Sequence, residues 1–336
     1  MMTNLNIDFL KKMLSTYSPA GNEVKIADLI REEIKELVDE ITVDTLGNLI
    51  ARKKGAGKKV MLAGHMDQIG LMVTYIDDEG FLRFTNVGGI SPAITLSQRV
   101  IFENGTIGVI GSERLEDLKD LRLDKLFIDI GASSREEAED KVKIGDIAVY
   151  CSEVVADEKK VISQALDDRI GCFVMIEALK RLSNTENDLY FVFTVQEEVG
   201  TRGAKTAAYG IEPDIAIAFD VTATGDTPKA KSMAVKLGKG PAIKVKDNSI
   251  LCHPKVKNYM IDQAEKNNIP YQIEILEFGG TDAGAIHLTK SGVPSGVLSI
   301  PCRYLHSDCE MVFLSDVEEA IELTKNIVIH PIQLDE

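Results

Sequence analysis

The sequence predicts an α/β fold interrupted by a β-rich insertion, and three observations carry that reading. Amphipathic helical periodicity alternates with near-continuous apolar strands in the first and last parts of the chain. Between residues 69 and 163 this texture gives way to short strands broken by turn signals. Three of the apolar strands outside that block run into charged residues, and open α/β sheets gather their sites at the carboxyl ends of strands.

Taken in order, residues 5–17 carry a helical pattern. Residues 22–38 (NEVKIADLIREEIKELV) place apolar side chains at 24, 26, 27, 29, 30, 34 and 37, the spacing of a longer amphipathic helix. A hairpin-like pair, ITVDTLGNLIARKKG, precedes a buried strand, KVMLAG, that ends at His65. In the middle block LMVTYIDDEGFLRF, RVIFENGTIGVIG, KLFIDIG and KIGDIAVY read as strands separated by turns; only SSREEAEDKV, with a serine cap and an acidic first turn, reads as helix. Such a block suggests a small barrel or sandwich. After Gln164 the strands DLYFVFTV, DIAIAFDV and PSGVLSI alternate with helices over 168–182, 254–267 and 316–328. The expected division is one α/β domain built from residues 1–68 and 164–336, with 69–163 inserted. No internal repeat or low-complexity linker interrupts it.

Composition narrows the function. A chain of 336 residues fits one large and one smaller domain, and 44% hydrophobic content excludes a disordered chain. The net charge of −15 is spread along the sequence, which argues against nucleic acid and anionic membrane as partners. The N-terminal stretch lacks a secretory pattern, and no run approaches the roughly 20 apolar residues of a membrane span. Five cysteines, at 151, 172, 252, 302 and 309, form no CxxC pair, as in a reducing compartment. These features predict a cytoplasmic protein. Cys172 reads as a small buried hydrophobe; Cys302 and Cys309 flank His306, but nothing nearby would activate a thiol.

The strand ends carry the chemistry. VMLAG runs into His65 and Asp67, FVFTV into Glu197 and Glu198, and IAIAF into Asp220. His65 and Asp67, two residues apart on an extended chain, project to the same side, so Asp67 can hydrogen-bond the far nitrogen of a metal-bound imidazole. Glu197 and Glu198 reach one site only where the strand yields to a turn, which VGTRG supplies; one carboxylate would bind metal and the other handle protons. Asp167 and Asp168 stand at a helix entrance, where an N-cap role accounts for one of them, and the pair asks for a cation or Arg169 as balance. Asp220 ends a strand where an unpaired carboxylate would be costly, and His306 follows PSGVLSI across a short loop. Taking Asp167, Glu198 and Asp220 as ligands gives three negative charges; a bridging hydroxide adds a fourth, and two divalent cations balance them. With Asp167 bridging, each cation gains three protein ligands, suited to zinc or cobalt.

These residues resemble the tetrahedral aminopeptidases, also called glutamyl or deblocking aminopeptidases, some of which carry an endoglucanase label. The likeness spans nearly the whole chain and rests on AGHMDQIGLMV (63–73), ALDDRIG (165–171), VQEEVGTRGA (195–204), AFDVTATGD (218–226), FGGTDAGAIH (278–287) and RYLHS (303–307). The resemblance implies a three-layer, zinc-peptidase-like α/β catalytic domain with an inserted β-rich, barrel-like dimerisation domain, assembled through dimers into a tetrahedral dodecamer. It implies that His65, Asp167 and Asp220 hold one metal and Asp167, Glu198 and His306 the other, with Glu197 as general base and Asp67 orienting His65. The two ions would be zinc or cobalt, with manganese a further candidate, and the Asp167–Asp168 bond would be cis. Short peptides would be the substrates, losing their N-terminal residues to a metal-bridging hydroxide. FGGTDAGAI would line the substrate site, Gly279 and Gly280 allowing close approach and Gly280, Thr281 and Asp282 contacting the peptide. Gln68 stands where many relatives are expected to carry Glu.

Two other readings use the same residues. A glycosidase could employ paired carboxylates, but it would leave both histidines without a role, and the chain has no Trp to stack sugars. A non-catalytic shell stabilised by metal would leave Glu197 in excess of the ligands. His253 reads as a helix-entrance residue near substrate, and His287 and His330 as structural.

Overall fold

The computed structural model describes residues 5–334; residues 1–4 and 335–336 of the expected α/β domain lie outside them. Helices α1 (Ile7–Ser15) and α2 (Val24–Ile34) come first, and α2 buries Ile26, Ala27, Ile30 and Ile34, a stripe at helical spacing. Strands β1 (Glu40–Val43) and β2 (Leu49–Lys53) pair antiparallel as the hairpin texture predicts, and β3 (Lys59–His65) is buried along almost its whole length.

The middle of the chain forms β4 (Gly70–Ile76), β5 (Leu82–Val87), α3 (Pro92–Thr95), β6 (Arg99–Phe102), β7 (Ile107–Ser112), β8 (Leu126–Asp129), α4 (Arg135–Glu139) and β9 (Ile147–Tyr150). Its six strands close a barrel in the order β4-β5-β8-β7-β6-β9. The barrel has its own core, built from alternate strand positions such as Leu71, Val73, Leu82, Phe84, Ile110 and Ile128.

The chain then runs through β10 (Val155–Ala156), β11 (Lys160–Ser163), α5 (Leu166–Arg181), β12 (Asp188–Thr194), α6 (Arg202–Ile211), β13 (Ile215–Thr222), β14 (Ala242–Lys246), α7 (Pro254–Lys266), β15 (Gln272–Ile275), α8 (Asp282–Ile286), β16 (Ser295–Pro301), β17 (Glu310–Phe313) and α9 (Leu314–Val328). β10 and β11 form a small sheet with β17, so the β-rich texture runs past the barrel into the α/β part.

An eight-stranded sheet ordered β1-β2-β12-β3-β13-β16-β14-β15 organises that part. Its four central strands, β12, β3, β13 and β16, are parallel, which brings their carboxyl ends to one edge. Both faces are covered. Val60 and Leu62 of β3 pack with α1, α2, α5 and α9, while Met61 and Ala63 pack with α6 and α8. This double burial is why KVMLAG and IAIAF read as unbroken apolar runs rather than alternating ones. Helix α5 is buried from Leu166 to Leu179 and lies between the sheet and α1 and α9.

Candidate metal centre

The parallel strand ends set the site. β3 delivers His65 opposite Thr194 of β12, and β13 delivers Asp220 opposite Ser299 of β16. Beyond β12 the backbone turns at once: Gln196 adopts φ +55° and Gly200 φ +119°, which lets the adjacent Glu197 and Glu198 face the same cavity. The Asp167–Asp168 peptide bond is cis.

Asp167 presents one oxygen to each histidine. Its Oδ1 lies 3.0 Å from His65 Nε2 and its Oδ2 3.3 Å from His306 Nε2; Glu198 Oε1 is 3.6 Å from His306 Nε2. Two donor sets result, His65–Asp167–Asp220 and Asp167–Glu198–His306, each with one ligand atom per residue within 4.8 Å of the others. Asp167 belongs to both. The far nitrogens define the tautomers: His65 Nδ1 lies 3.2 Å from the Asp67 carbonyl and His306 Nδ1 2.7 Å from the Gly89 carbonyl. A carbonyl only accepts, so each Nδ1 carries hydrogen; each Nε2 faces an Asp167 oxygen and would turn a lone pair on a cation bound between them. Gly89 is needed for this approach, because a Cβ there would lie 2.8 Å from His306 Nδ1.

Asp67 is placed differently from its expected role. Its carboxylate Oδ1 is 3.6 Å from His65 Nδ1, beyond hydrogen-bond range, and it accepts the Glu197 N–H (3.0 Å) and Glu198 N–H (3.2 Å) instead. The main-chain oxygen of Asp67 orients His65, and its carboxylate fixes the Glu197–Glu198 turn. Asp168 takes the cap role, accepting the Gly171 N–H at 3.1 Å. Arg169 does not balance the pair. Its buried guanidinium points away, donating at 2.7 Å to the carbonyls of Met13 and Thr16 and to Gln68 Oε1.

The carboxylates are therefore crowded, and the cation that bears on them, Lys244 near Asp220, is already paired with Glu274 at 2.7 Å. Burial, with the charges of Asp220, Asp282 and Glu198, holds the Glu197 carboxyl well above its usual range. Burial and the nearby Asp167 charge raise Glu198 to about 7, and the same two causes raise Asp220. Burial opposes the charged form of His306, but the Asp167 hydrogen bond and the Glu198 charge outweigh it and push the group to about 10. Two divalent cations would supply the missing positive charge, and a mixed imidazole and carboxylate set suits them.

Of the expected substrate contacts, Gly279 and Gly280 line the cavity, but Thr281 and Asp282 do not. Both are buried beneath it at the start of α8, and Asp282 accepts the Thr194 hydroxyl. His253 is also elsewhere, sharing a separate cavity with His287. Burial pushes the Cys302 and Cys309 thiols up, the opposite of activation. Sequence reasoning missed Glu310, whose buried carboxylate accepts the His306 N–H at 2.9 Å and the Asp167 N–H at 3.0 Å. Its position four residues after His306 was the one available signal. It also missed Ile90 and Ile94, which the barrel contributes to the cavity wall.

A three-layer α/β domain with an inserted barrel, and a carboxylate-rich centre at the parallel strand ends, defines a class of peptide-bond hydrolase. The chain belongs to the M42 glutamyl aminopeptidase family, whose sequence profile matches residues 47–323, and it is an aminopeptidase of that family. It is 59% identical over 317 residues to a provisionally named aminopeptidase of Acetivibrio thermocellus, covering 94% of this chain and 96% of that one. To the lysyl aminopeptidase of Pyrococcus furiosus it is 38% identical over 335 residues, with 96% of each chain covered. Among solved structures, the aminopeptidase APDkam598 of Desulfurococcus kamchatkensis superposes with a TM-score of 0.92 at 43% identity, covering 96% of this chain and 94% of that one. The Pyrococcus horikoshii TET1 peptidase, which can assemble into a tetrahedron or a large octahedral shell, gives 0.86 at 39% identity, with 96% and 99% covered.

Proposed function

We propose that this protein is a dinuclear metal-dependent aminopeptidase that releases N-terminal residues from short peptides. The observation that carries the proposal is Asp167, whose two oxygens serve two histidines and two donor sets at once. His65, Asp167 and Asp220 would hold one ion and Asp167, Glu198 and His306 the other, zinc or cobalt suiting the donors best and manganese next. Bound there, the ions would lower the pKa of water and polarise the scissile carbonyl. Glu197 is the group left to move protons: its Oε2 lies 4.0 Å from His65 Nε2 and it lines the cavity. It would take a proton from the attacking water and return it to the leaving amine. Gly279 and Gly280 line the same cavity and would present main chain to the peptide.

The test is hydrolysis of aminoacyl-p-nitroanilides and short peptides by metal-stripped protein, before and after zinc, cobalt or manganese is restored. Metal-restored release of single N-terminal residues supports the proposal. Silence on every peptide together with cleavage of a glucan would replace it with a glycosidase.

Glu310 gives a second test. It holds the main chain of two ligands, the shared Asp167 and His306, and a glutamine would turn an N–H donor toward one of the two N–H groups it now accepts. Glu310→Gln is expected to weaken metal binding by about 10–100-fold in chelator competition. Unchanged affinity would make Glu310 a bystander.

Assembly and location belong to the same proposal. The inserted segment 69–163, which contains the barrel, would serve dimerisation, and Ile107, Val109, Leu118 and Ile144, all exposed, support an association surface there. Dimers would build a tetrahedral dodecamer in the cytoplasm; no described helix is long and apolar enough to cross a membrane.

A further inference from the structure

The cavity above the donor sets has a volume of about 690 Å³. Among the described residues that line it, the ionisable side chains are all in the centre itself: His65, Asp167, Glu197, Glu198, Asp220 and His306. The rest of the wall is apolar or uncharged. Ile90 and Ile94 come from the barrel, Leu276 and Phe278 from the segment after β15, and Leu305 from the loop that carries His306.

Charged groups nearby are already engaged. Lys231 and Glu277 pair with each other in an adjoining cavity of about 390 Å³, behind Leu276 and Phe278. Arg303 is held by Asp226 at 2.7 Å, and Arg202 donates to Gln196 at 3.3 Å. An acidic N-terminal side chain would therefore find no free cation in this wall. A basic one would find no carboxylate beyond those of the centre, and a charge placed against apolar surface without a partner is rejected.

We infer that the cavity reads the N-terminal residue as an uncharged apolar side chain of leucine size or larger, with Ile94, Leu276, Phe278 and Leu305 forming the selecting wall. The inference rests on the aminopeptidase reading above and adds the substrate class to it. It separates this chain from the lysyl preference that its Pyrococcus furiosus relative is named for.

The test is kcat/KM at saturating metal for leucyl, methionyl, phenylalanyl, alanyl, glutamyl and lysyl p-nitroanilides. Leucyl and methionyl substrates should exceed glutamyl and lysyl ones by on the order of 100-fold, and alanyl by about tenfold or more. Phe278 is half-exposed and outside the core clusters, so Phe278→Ala should fold; it is expected to lower the leucyl-to-alanyl ratio about tenfold. Ile94→Lys, which adds a cation to the wall, should raise glutamyl turnover relative to leucyl. Glutamyl or lysyl release within tenfold of leucyl would overturn the inference while leaving the aminopeptidase standing, as would a Phe278→Ala ratio equal to the parent's. Release from none of the six substrates would sink the aminopeptidase reading and this inference with it.

Discussion

Glu197→Gln is expected to abolish turnover while leaving metal binding nearly intact. Glutamine preserves the shape of the side chain and the backbone hydrogen bond to Asp67, but it cannot accept and return a proton. Loss of a general base typically costs 10²–10⁴-fold in rate, so kcat should fall by roughly that factor with KM little changed. Glu197 stands outside both donor sets, so titration with zinc or cobalt should still reach two ions per chain. Substantial residual kcat would remove Glu197 as the base. Loss of one ion would recast it as a ligand.

Asp167→Asn should have the larger effect on metal. Each oxygen of Asp167 faces a different histidine, and the residue is the single member common to both donor sets. Asparagine offers one carbonyl oxygen and an amide nitrogen that cannot ligate a cation, and it removes a negative charge from the pair. Both ions should be lost or greatly weakened. Activity should then fall on the order of 10³-fold or more, since the Lewis-acid contribution is worth several kcal/mol and each 1.36 kcal/mol is a factor of ten. Metal content by plasma emission reports this without reference to activity. Retention of one tightly held ion would show that Asp167 serves a single site. Melting in excess chelator separates metal loss from misfolding, because parent and variant should then unfold at similar temperatures.

The sequence by itself determined a good deal. Apolar runs ending in His65, Glu197–Glu198 and Asp220 marked the parallel strand ends, because strands covered on both faces must be apolar throughout and only their ends are free to carry charge. The change from long to short strand segments marked the barrel, since six short strands need frequent turns. Helix α6 went unread although Gly203, Ala204, Ala207, Ala208 and Ile211 bury one face at helical spacing, because its first residues lie in VGTRG, which reads as a turn.

Tertiary structure alone decided how those residues divide their work. Asp167 and Asp168 are indistinguishable as neighbours in sequence; the turn into α5 sends one to the cavity and the other to cap the helix. Asp67 carries the right spacing to orient His65, yet the fold gives that task to its carbonyl and uses its carboxylate to hold the two glutamates. Arg169 could have neutralised the aspartates, but packing of α1 against α5 surrounds it with carbonyls and turns it away. Thr281 and Asp282 lie next to Gly280 in sequence but beneath it in space, and Ile94 reaches the cavity from the barrel. Residue type and strand position are local properties that a sequence displays, whereas the direction in which a side chain points depends on contacts between segments far apart in the chain, which only the folded molecule brings together.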